Sequence, residues 1–152
     1  MTPQVRDWVW NLQGVEGPVL EVGSYDANGS LRDLFNGMEY VGLDMREGPN
    51  VDIVRDIMDP WEGAYGTVVC VETLEHIAEP WRAIDTMHSI LKPGGLFAGA
   101  WVFNWEIHGH PNDYWRVTPE GFKYLLNRSG FVEIEATLAE DHHVYATARR
   151  AA

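Results

Sequence analysis

The sequence predicts an α/β fold with a central, mainly parallel sheet. Short apolar runs suited to buried strands alternate along the chain with segments of helical periodicity. Glycine-bearing turns follow these strands, which is typical of strand–turn–helix units. Near the carboxyl terminus, two segments alternate apolar and polar residues, as the strands of an antiparallel hairpin do. We therefore expect one domain over residues 1–152, with a hairpin that makes the sheet mixed.

Composition limits the class of protein. The 152 residues carry a formal net charge of −12, a field that repels a phosphate backbone, so nucleic acid is a poor candidate for a partner. The sequence shows neither an apolar run long enough to span a membrane nor a signal-peptide pattern, so we expect a cytoplasmic protein with no membrane partner. The single cysteine, Cys70, lies in an apolar run and excludes an internal disulfide bond.

The first part of the chain predicts a helix, a strand and a second helix. A Thr-Pro pair at residues 2–3 is typical of a helix start, and Gly14 would end that helix. Residues 18–22 predict the first strand. Apolar residues at helical spacing then predict a helix near residues 30–36.

The middle of the chain is shortened between the second and fourth strands. Residues 39–44 predict the second strand, and residues 51–54 predict a short third strand. A parallel crossover normally needs a dozen or more residues, and the sequence offers far fewer here. Residues 57–66 contain one proline and two glycines, which favours a loop over a helix.

The second half returns to regular alternation. Residues 67–71 predict a buried fourth strand. Pro80 predicts the start of a helix that carries Lys92 in its last turn and ends at residues 93–95. Residues 96–103 predict the fifth strand.

A loop over residues 104–116 follows the fifth strand. We expect the next helix to begin at residues 118–120 and to end at Gly130. The alternation over residues 132–136 and 144–148 then predicts the closing hairpin.

Two acidic residues mark a candidate ligand crevice. Glu21 ends the first strand, before Gly23, and Asp44 ends the second strand 23 residues later. In nucleotide-type sites, a carboxylate at the second position accepts both ribose hydroxyls. Each residue alone fits an ordinary turn or a solvated strand end. Together they indicate a ligand that carries a positive or hydroxyl-bearing group.

Four segments, taken in order, carry a family resemblance over residues 18–131. They are Val-Leu-Glu-Val-Gly at 19–23, Tyr-Val-Gly-Leu-Asp at 40–44, Val-Glu-Thr-Leu-Glu-His-Ile at 71–77 and Ile-Leu-Lys-Pro-Gly-Gly-Leu at 90–96. The chain resembles the class I S-adenosylmethionine-dependent methyltransferases, of the small type 11 kind. Residues 110–121 are similar to a segment of one subgroup of these proteins. The resemblance implies a Rossmann-like, doubly wound sheet and S-adenosylmethionine as cofactor.

At the methionine end of that cofactor, the resemblance implies five residues. Glu21 would lie near the ammonium group, and Gly23 would let the backbone approach the methionine part. Ser24 would belong to the same turn. The backbone at Val71 and Glu72 would complete the pocket.

At the adenosine end, the resemblance implies four residues. Asp44 would hold the ribose hydroxyls, and Met45 would pack on the adenine. Asp56 and Ile57 would bracket the adenine with a hydrogen bond to its amino group and an apolar contact.

The first turn departs from the family pattern. Tyr25 and Ala27 stand where further glycines are usual, and Gly29 comes two residues late. This departure, with the shortened middle region, favours an alternative: a non-catalytic, degenerate methyltransferase-fold binding module. The same turn disfavours a nicotinamide-dependent oxidoreductase.

Three histidines are candidate catalytic bases, since methyl transfer to an oxygen can need a base near neutrality. They are His76, after the fourth strand, and His108 and His110, after the fifth. His76 could instead cap or pack the next helix, and the loop histidines could be scaffolding beside an Asp113–Arg116 pair. A zinc-like site of His108, His110 and Asp113 is a further alternative. We predict no metal, because no second cluster supplies the missing ligands.

The acceptor is the least defined part of the hypothesis. We expect a small-molecule or glycan substrate of small or medium size, such as a sugar or metabolite hydroxyl. Trp105, Tyr114 and Trp115 could form the walls of its pocket or belong to the core.

Overall fold

The computed structural model describes residues 1–109 and 111–152. Within them, seven strands form one sheet: β1 (Val19–Val22), β2 (Tyr40–Asp44), β3 (Ile53–Val54), β4 (Tyr65–Val71), β5 (Leu91–Val102), β6 (Val132–Leu138) and β7 (His143–Arg149). The α-helices are α1 (Pro3–Trp10), α2 (Pro80–Ile90) and α3 (Pro119–Arg128). Two 3₁₀ turns cover Arg32–Phe35 and Leu74–His76.

The strand order is β3-β2-β1-β4-β5-β7-β6. The pairs among β1 to β5 are parallel, whereas β7 runs antiparallel to both β5 and β6. The predicted mainly parallel sheet with a closing hairpin is therefore confirmed. The chain order reverses at β1, with β2 on one side and β4 on the other. The crevice outside the carboxyl ends of β1 and β4 is thus the switch point at which open α/β sheets bind ligands.

Each face of the sheet has its own core. Leu20 and Val22 of β1 belong to the larger core, which α2 and α3 cover. Val19 belongs to the smaller core, which α1 covers. Because strand side chains alternate between faces, Glu21 lies on the α1 side of the sheet, and it is buried there.

The helix expected near residues 30–36 is only the 3₁₀ turn Arg32–Phe35. Gly29 and Gly37 both have positive φ values, +116° and +89°, and bracket the segment closely. A stretch this short gains too few backbone hydrogen bonds to offset the cost of helix nucleation. The first helix is also shorter than expected, since it ends at Trp10, well before Gly14.

Lys92 was expected in the last turn of α2, and this prediction is wrong. The helix ends at Ile90, and Lys92 lies in β5. Leu91 is already extended, with φ −73° and ψ 144°, and it pairs with Tyr65 of β4. Pro93 disfavours the helical region for the residue before it, so the chain leaves the helix early.

The predicted shortening between β2 and β4 is confirmed. The third strand, β3, has two residues, and the described segment between β3 and β4 contains no helix. The helix after the residue 104–116 loop begins as predicted, because Thr118 caps it by accepting a hydrogen bond from the Gly121 N–H at 3.0 Å. Among the described residues, no helix combines the length and the apolar character needed to cross a bilayer.

Candidate active site

Carboxylates gather at one edge of the sheet, outside the carboxyl ends of its central strands. Glu21 lies near the end of β1, Asp44 ends β2, and Glu72 directly follows β4. Parallel pairing sets Glu21 between Gly42 of β2 and Val69 of β4. The residues that the sequence places at strand ends therefore do meet at one edge, although their binding roles stay predictions.

Asp44 is held by the backbone on both sides. Its Oδ2 accepts the Tyr25 N–H at 3.1 Å, and its Oδ1 accepts the Arg46 N–H at 3.0 Å. The side chain is 14% exposed, and each carboxylate oxygen keeps a further lone pair. Met45 lies next to it and is 64% exposed. The carboxylate is therefore fixed in orientation and still able to accept hydrogen bonds from a ligand.

Tyr25, which stands where the family pattern usually has a glycine, packs its ring against the loop between β2 and β3. The Arg46 guanidinium lies 4.2 Å from the centre of its ring. The ring also lies against Gly48, where an added Cβ would come 2.9 Å from Tyr25 Cδ2. The loop between β2 and β3 thus accommodates the bulky residue.

The rest of this turn, residues 26–29, is held by two hydrogen bonds of Asp26. Asp26 Oδ1 accepts the Gly29 N–H at 2.8 Å, and Gly29 takes a φ of +116°. The Asp26 N–H donates to the Pro49 carbonyl at 3.0 Å, which joins the turn to the loop between β2 and β3. Gly29 therefore has a structural role in the turn.

Glu21 is a buried carboxylate with one weak hydrogen-bond partner in the part of the chain that the structure describes. It is 5% exposed, and Asn50 Nδ2 donates to its Oε2 at 3.3 Å. Burial raises the pKa of Glu21 to about 8, although the Asn50 hydrogen bond opposes the shift. Asn50 has a φ of +68° and donates also to the Ser24 carbonyl at 3.0 Å. A cation bound nearby would favour the charged form of Glu21.

Gly23 allows a close approach, but the group that approaches is Thr73. Gly23 has a φ of +79°, and an added Cβ would overlap the Thr73 hydroxyl and lie 2.6 Å from its methyl carbon. The Thr73 hydroxyl donates to the Val71 carbonyl at 2.9 Å. Beside them, Ser24 is 2% exposed, and within the described residues its hydroxyl has no hydrogen-bond partner.

Asp56 and Ile57 follow β3 and lie near the end of β2, because the Arg55 N–H donates to the Asp44 carbonyl at 2.9 Å. Asp56 Oδ1 accepts the Met58 N–H at 2.8 Å, which stabilises the turn after β3. Ile57 is 4% exposed and belongs to the larger core. Ile57 therefore supports this corner of the crevice from below.

Glu72 is hydrogen-bonded to the sheet through its backbone and to a histidine through its carboxylate. This histidine was not among the residues predicted from the sequence. The Glu72 N–H donates to the Ala100 carbonyl of β5 at 2.8 Å, so this N–H is not available to a cofactor. The Glu72 Oε1 lies 2.9 Å from Nε2 of His143, which is fully buried at the start of β7. Glu72 has a φ of +48°, unusual for a side chain of this size.

Two of the three candidate histidines lie together. His76, in the 3₁₀ turn after β4, and His108, in the loop after β5, have ring centroids 4.9 Å apart in an edge-to-face arrangement. Glu75 lies beside both rings, with Oε1 at 3.9 Å from His76 Nε2 and 4.0 Å from His108 Nε2. The third candidate, His110, lies outside the described residues.

The loop is braced by the Asp113–Arg116 pair that the sequence allowed. Arg116 donates to both Asp113 oxygens, at 2.6 and 2.9 Å, and this hydrogen bonding holds the pKa of Asp113 well below its usual range. Asp113 Oδ2 also accepts the His108 N–H at 2.8 Å. The alternative zinc set of His108, His110 and Asp113 therefore loses support, since Asp113 is already bound on both oxygens.

The aromatic residues of this loop are not part of the core. Trp105, Tyr114 and Trp115 are 40%, 49% and 40% exposed. Trp115 is held in place, since its Nε1 donates to the Ala78 carbonyl at 3.1 Å and its ring meets Trp81 edge-on. These rings are available as walls of an acceptor pocket.

Four residues that shape the site were missed by sequence reasoning: Asn50, Thr73, Glu75 and His143. Glu75 had a visible signal, since it precedes His76 inside a segment that carries the family resemblance. His143 had none, because its place opposite Glu72 depends on the pairing of β7 with β5.

A family model described as "Methyltransferase domain" matches residues 4–134. This match spans most of the chain, and the chain therefore belongs to this methyltransferase family. The strand order and the closing antiparallel strands are those of the Rossmann-like fold of class I S-adenosylmethionine-dependent methyltransferases.

Among curated proteins, the chain is similar to ubiquinone biosynthesis O-methyltransferase of Pseudomonas savastanoi pv. phaseolicola. The two are 27% identical over 145 residues, which cover 84% of this chain and 60% of that protein. The chain thus spans about 60% of the length of this curated relative.

Two solved structures show the likeness in fold. Burkholderia thailandensis 1,6-didemethyltoxoflavin-N1-methyltransferase, solved with 1,6-didemethyltoxoflavin and S-adenosylhomocysteine, has a TM-score of 0.69 at 17% identity, covering 88% of this chain and 71% of that one. The [4+2]-cyclase SpnF has a TM-score of 0.73 at 18% identity, covering 97% and 80%. Because both catalytic activities occur on this fold, the site must decide the reaction.

Proposed function

We propose that the chain binds S-adenosylmethionine and transfers its methyl group to an oxygen atom of a small or medium-sized acceptor. The observation that carries this proposal is the geometry at Asp44. Its carboxylate is oriented by the Tyr25 and Arg46 N–H groups at the switch-point edge, beside the exposed side chain of Met45. A ribose with two adjacent hydroxyls, joined to a flat base, suits this arrangement.

The residues at the other end of the crevice fit the cationic methionine part. Glu21 is buried with a raised pKa, so that a nearby ammonium group would stabilise its charged form. The Ser24 hydroxyl has no partner within the described residues and could bind a polar ligand atom. In the proposed complex, the backbone at Val71 and Glu72 completes this end of the pocket.

At the adenine end, Asp56 and Ile57 follow the short strand β3. Ile57 is buried beneath this corner, and Asp56 is partly exposed, with one oxygen bound to the Met58 N–H. In the proposed complex, the second oxygen of Asp56 accepts a hydrogen bond from the adenine amino group.

S-adenosylmethionine supplies an activated methyl group, so the chain has to align the acceptor and exclude water. In the proposed reaction, His76 or His108 takes the proton of an acceptor hydroxyl. The proximity of the two rings, with centroids 4.9 Å apart, supports a shared role. The Tyr114 N–H donates to the Glu75 carbonyl at 2.7 Å and joins the segments that carry the two rings. Similarity to proteins named O-methyltransferases supports an oxygen acceptor.

Transfer of a labelled methyl group tests the proposal. The purified protein is incubated with labelled S-adenosylmethionine and a panel of phenols, sugars and other metabolite hydroxyls. We expect label in at least one acceptor, and we expect the transfer to stop in the Asp44→Ala variant. Failure of both the wild-type transfer and the binding of S-adenosylhomocysteine would reject the proposal.

A second candidate, a non-catalytic binding module, is favoured by two observations. The Thr73 side chain occupies the space beside Gly23, and the Glu72 N–H is already bound to β5. Both features reduce the room and the donors available at the methionine end. The two candidates separate cleanly, because a binding module that retains the crevice would bind S-adenosylhomocysteine without transferring label to any acceptor.

A further inference from the structure

We propose that Glu75, His76 and His108 bind a divalent transition-metal ion, with Zn²⁺ as the ion whose preferences they match. One carboxylate oxygen and two imidazole nitrogens, one from each residue, lie within 4.8 Å of one another. Two segments far apart in sequence supply them: the 3₁₀ turn after β4 and the loop after β5.

The distances suit an ion that enters the cluster. Glu75 Oε1 lies 3.9 Å from His76 Nε2 and 4.0 Å from His108 Nε2. These separations are too long for hydrogen bonds between the groups. Ligands about 2.0–2.1 Å from a tetrahedral Zn²⁺ lie roughly 3.3 Å apart, so each ligand would shift inward by less than about 1 Å.

The Glu75 carboxylate provides an independent indication of a ligand. It is fully buried, and within the described residues neither of its oxygens has a hydrogen-bond partner. A buried carboxylate without a hydrogen-bond partner is costly for the fold. A bound cation would remove this cost, because it would compensate the charge and occupy the unpaired oxygens.

In each histidine, the ring nitrogen that would not bind the metal is hydrogen-bonded to a backbone carbonyl, as is usual for histidine ligands of metals. His76 Nδ1 lies 2.6 Å from the Asn112 carbonyl oxygen, and His108 Nδ1 lies 3.2 Å from the Glu106 carbonyl oxygen. A carbonyl can only accept, so both Nδ1 atoms carry the proton in the neutral rings. Asp113 Oδ2, at 3.3 Å from His108 Nδ1, reinforces this tautomer. In these tautomers Nε2 carries no proton, and in each ring Nε2 lies 3.9–4.0 Å from Glu75 Oε1.

The donor set selects the class of ion. Two imidazoles and one carboxylate match Zn²⁺, whereas Mg²⁺ and Ca²⁺ prefer sets made of oxygen ligands. Three protein ligands also leave a coordination position open for water or for an oxygen of the acceptor. Tyr114, whose ring is exposed, follows Asp113 in the loop that supplies His108.

Metal binding is inferred independently of the proposed function. The effect of the ion on methyl transfer, in contrast, rests on the proposed function. With the ion bound, His76 and His108 would act as its ligands and not as bases. An acceptor hydroxyl on the ion would lose its proton more readily, with solvent water as the final proton acceptor. Its oxygen would form the bond to the methyl carbon while the carbon–sulfur bond breaks, and that electron pair would stay on sulfur. The acceptor class narrows accordingly to molecules with an accessible, metal-coordinating hydroxyl.

Metal binding is measured directly, without activity. The full chain is freed of metal with a chelator and titrated with Zn²⁺ in a calorimeter against a competing chelator, and Mg²⁺ is tested in a parallel titration. We expect one Zn²⁺ per chain and no comparable response to Mg²⁺. Glu75→Gln and His108→Ala should each weaken Zn²⁺ binding about tenfold or more.

The matched control is His142→Asn. His142 is an exposed histidine of the hairpin turn with a φ of +67°, a conformation that asparagine tolerates. Its replacement should leave Zn²⁺ affinity unchanged. Circular dichroism of each variant checks folding, and the visible absorption of bound Co²⁺ gives a second readout of tetrahedral nitrogen and oxygen coordination.

The inference is overturned if wild type binds Zn²⁺ no more tightly than Glu75→Gln and His108→Ala do, or if His142→Asn removes the binding. Titration of the metal-free protein with S-adenosylhomocysteine separates this failure from failure of the proposed function. A chain that binds S-adenosylhomocysteine but not Zn²⁺ rejects only the metal site. A chain that binds Zn²⁺ but not S-adenosylhomocysteine rejects only the proposed function.

Discussion

His143 Nε2 lies 2.9 Å from the Glu72 carboxylate, and this contact joins the start of β7 to the residue after β4. Burial alone would lower the pKa of His143, but Glu72 and Asp141 outweigh it and raise the pKa above the usual 6.5. Burial likewise opposes ionisation of Glu72, yet His143 brings its pKa below 4.5. Both groups are therefore charged together between about pH 4.5 and 6.5.

Replacement of His143 by glutamine should reduce stability in a pH-dependent way. The raised pKa of His143 stabilises the fold fully below 6.5, and this stabilisation is lost as the pH rises through the folded-state value. We expect a loss of about 2–3 kcal/mol near pH 6, shrinking toward pH 9, by urea unfolding. A loss that does not change with pH would contradict the ion pair, and His142→Asn serves as the control.

Replacement of Glu75 by glutamine should stabilise the metal-free protein, and the gain should grow as the pH rises. The folded-state pKa of about 8 lies above the usual 4.5, so the wild type loses stability as the pH rises between these values. Relative to wild type, Glu75→Gln should gain about 1–3 kcal/mol between pH 5 and pH 8.5 in the presence of a chelator. The exposed Glu62→Gln should show no such gain. Equal pH profiles for wild type and Glu75→Gln would mean that Glu75 is not a buried, unpartnered acid.

Replacement of Gly23 by alanine should cost more than replacement of Gly37. Both glycines have positive φ values, +79° and +89°, so each alanine pays a strain cost of about 1 kcal/mol. Only at Gly23 would the new methyl group also overlap Thr73, whereas at Gly37 no described atom lies within 4 Å. We expect Gly23→Ala to lose at least about 1 kcal/mol more in chemical denaturation. Equal losses would contradict the tight contact with Thr73.

Replacement of His76 or His108 by alanine should reduce methyl transfer without preventing S-adenosylhomocysteine binding. A positioned base, or a ligand of a catalytic ion, contributes about 10²–10⁴ in rate. We expect kcat to fall by at least about 10² in each variant once an acceptor is known, while the His142→Asn control keeps its rate. An unchanged kcat in both variants would remove the histidine cluster from the reaction.

The larger features of the fold could be predicted because their signals are local. Apolar runs such as residues 67–71 and alternating segments such as residues 144–148 each specify a strand by composition alone. The predictions failed where the length of a segment, or its pairing with a distant strand, determined the secondary structure. The segment at residues 30–36 has helical spacing but too little length, and Lys92 lies in a strand because Leu91 pairs with Tyr65.

The candidate site was predictable in part for the same reason. Asp44 and Glu21 stand at strand ends, where the chain order itself implies a crevice. The position of Glu75 in a family segment was a visible signal, but its burial could not be predicted, because a loop more than 30 residues further along the chain packs on this turn. His143 likewise acquires its partner only when β7 pairs with β5.

The central claim is that Asp44 holds the ribose of S-adenosylmethionine, and a titration with S-adenosylhomocysteine tests it most directly. The control is Asp59→Ala, because the Asp59 side chain is 65% exposed and Asp59 is not one of the proposed binding residues. We expect saturable binding to wild type and to Asp59→Ala, and binding to Asp44→Ala that is about tenfold weaker or worse. Absence of binding to wild type at millimolar ligand, or equal affinity in all three proteins, would contradict the account.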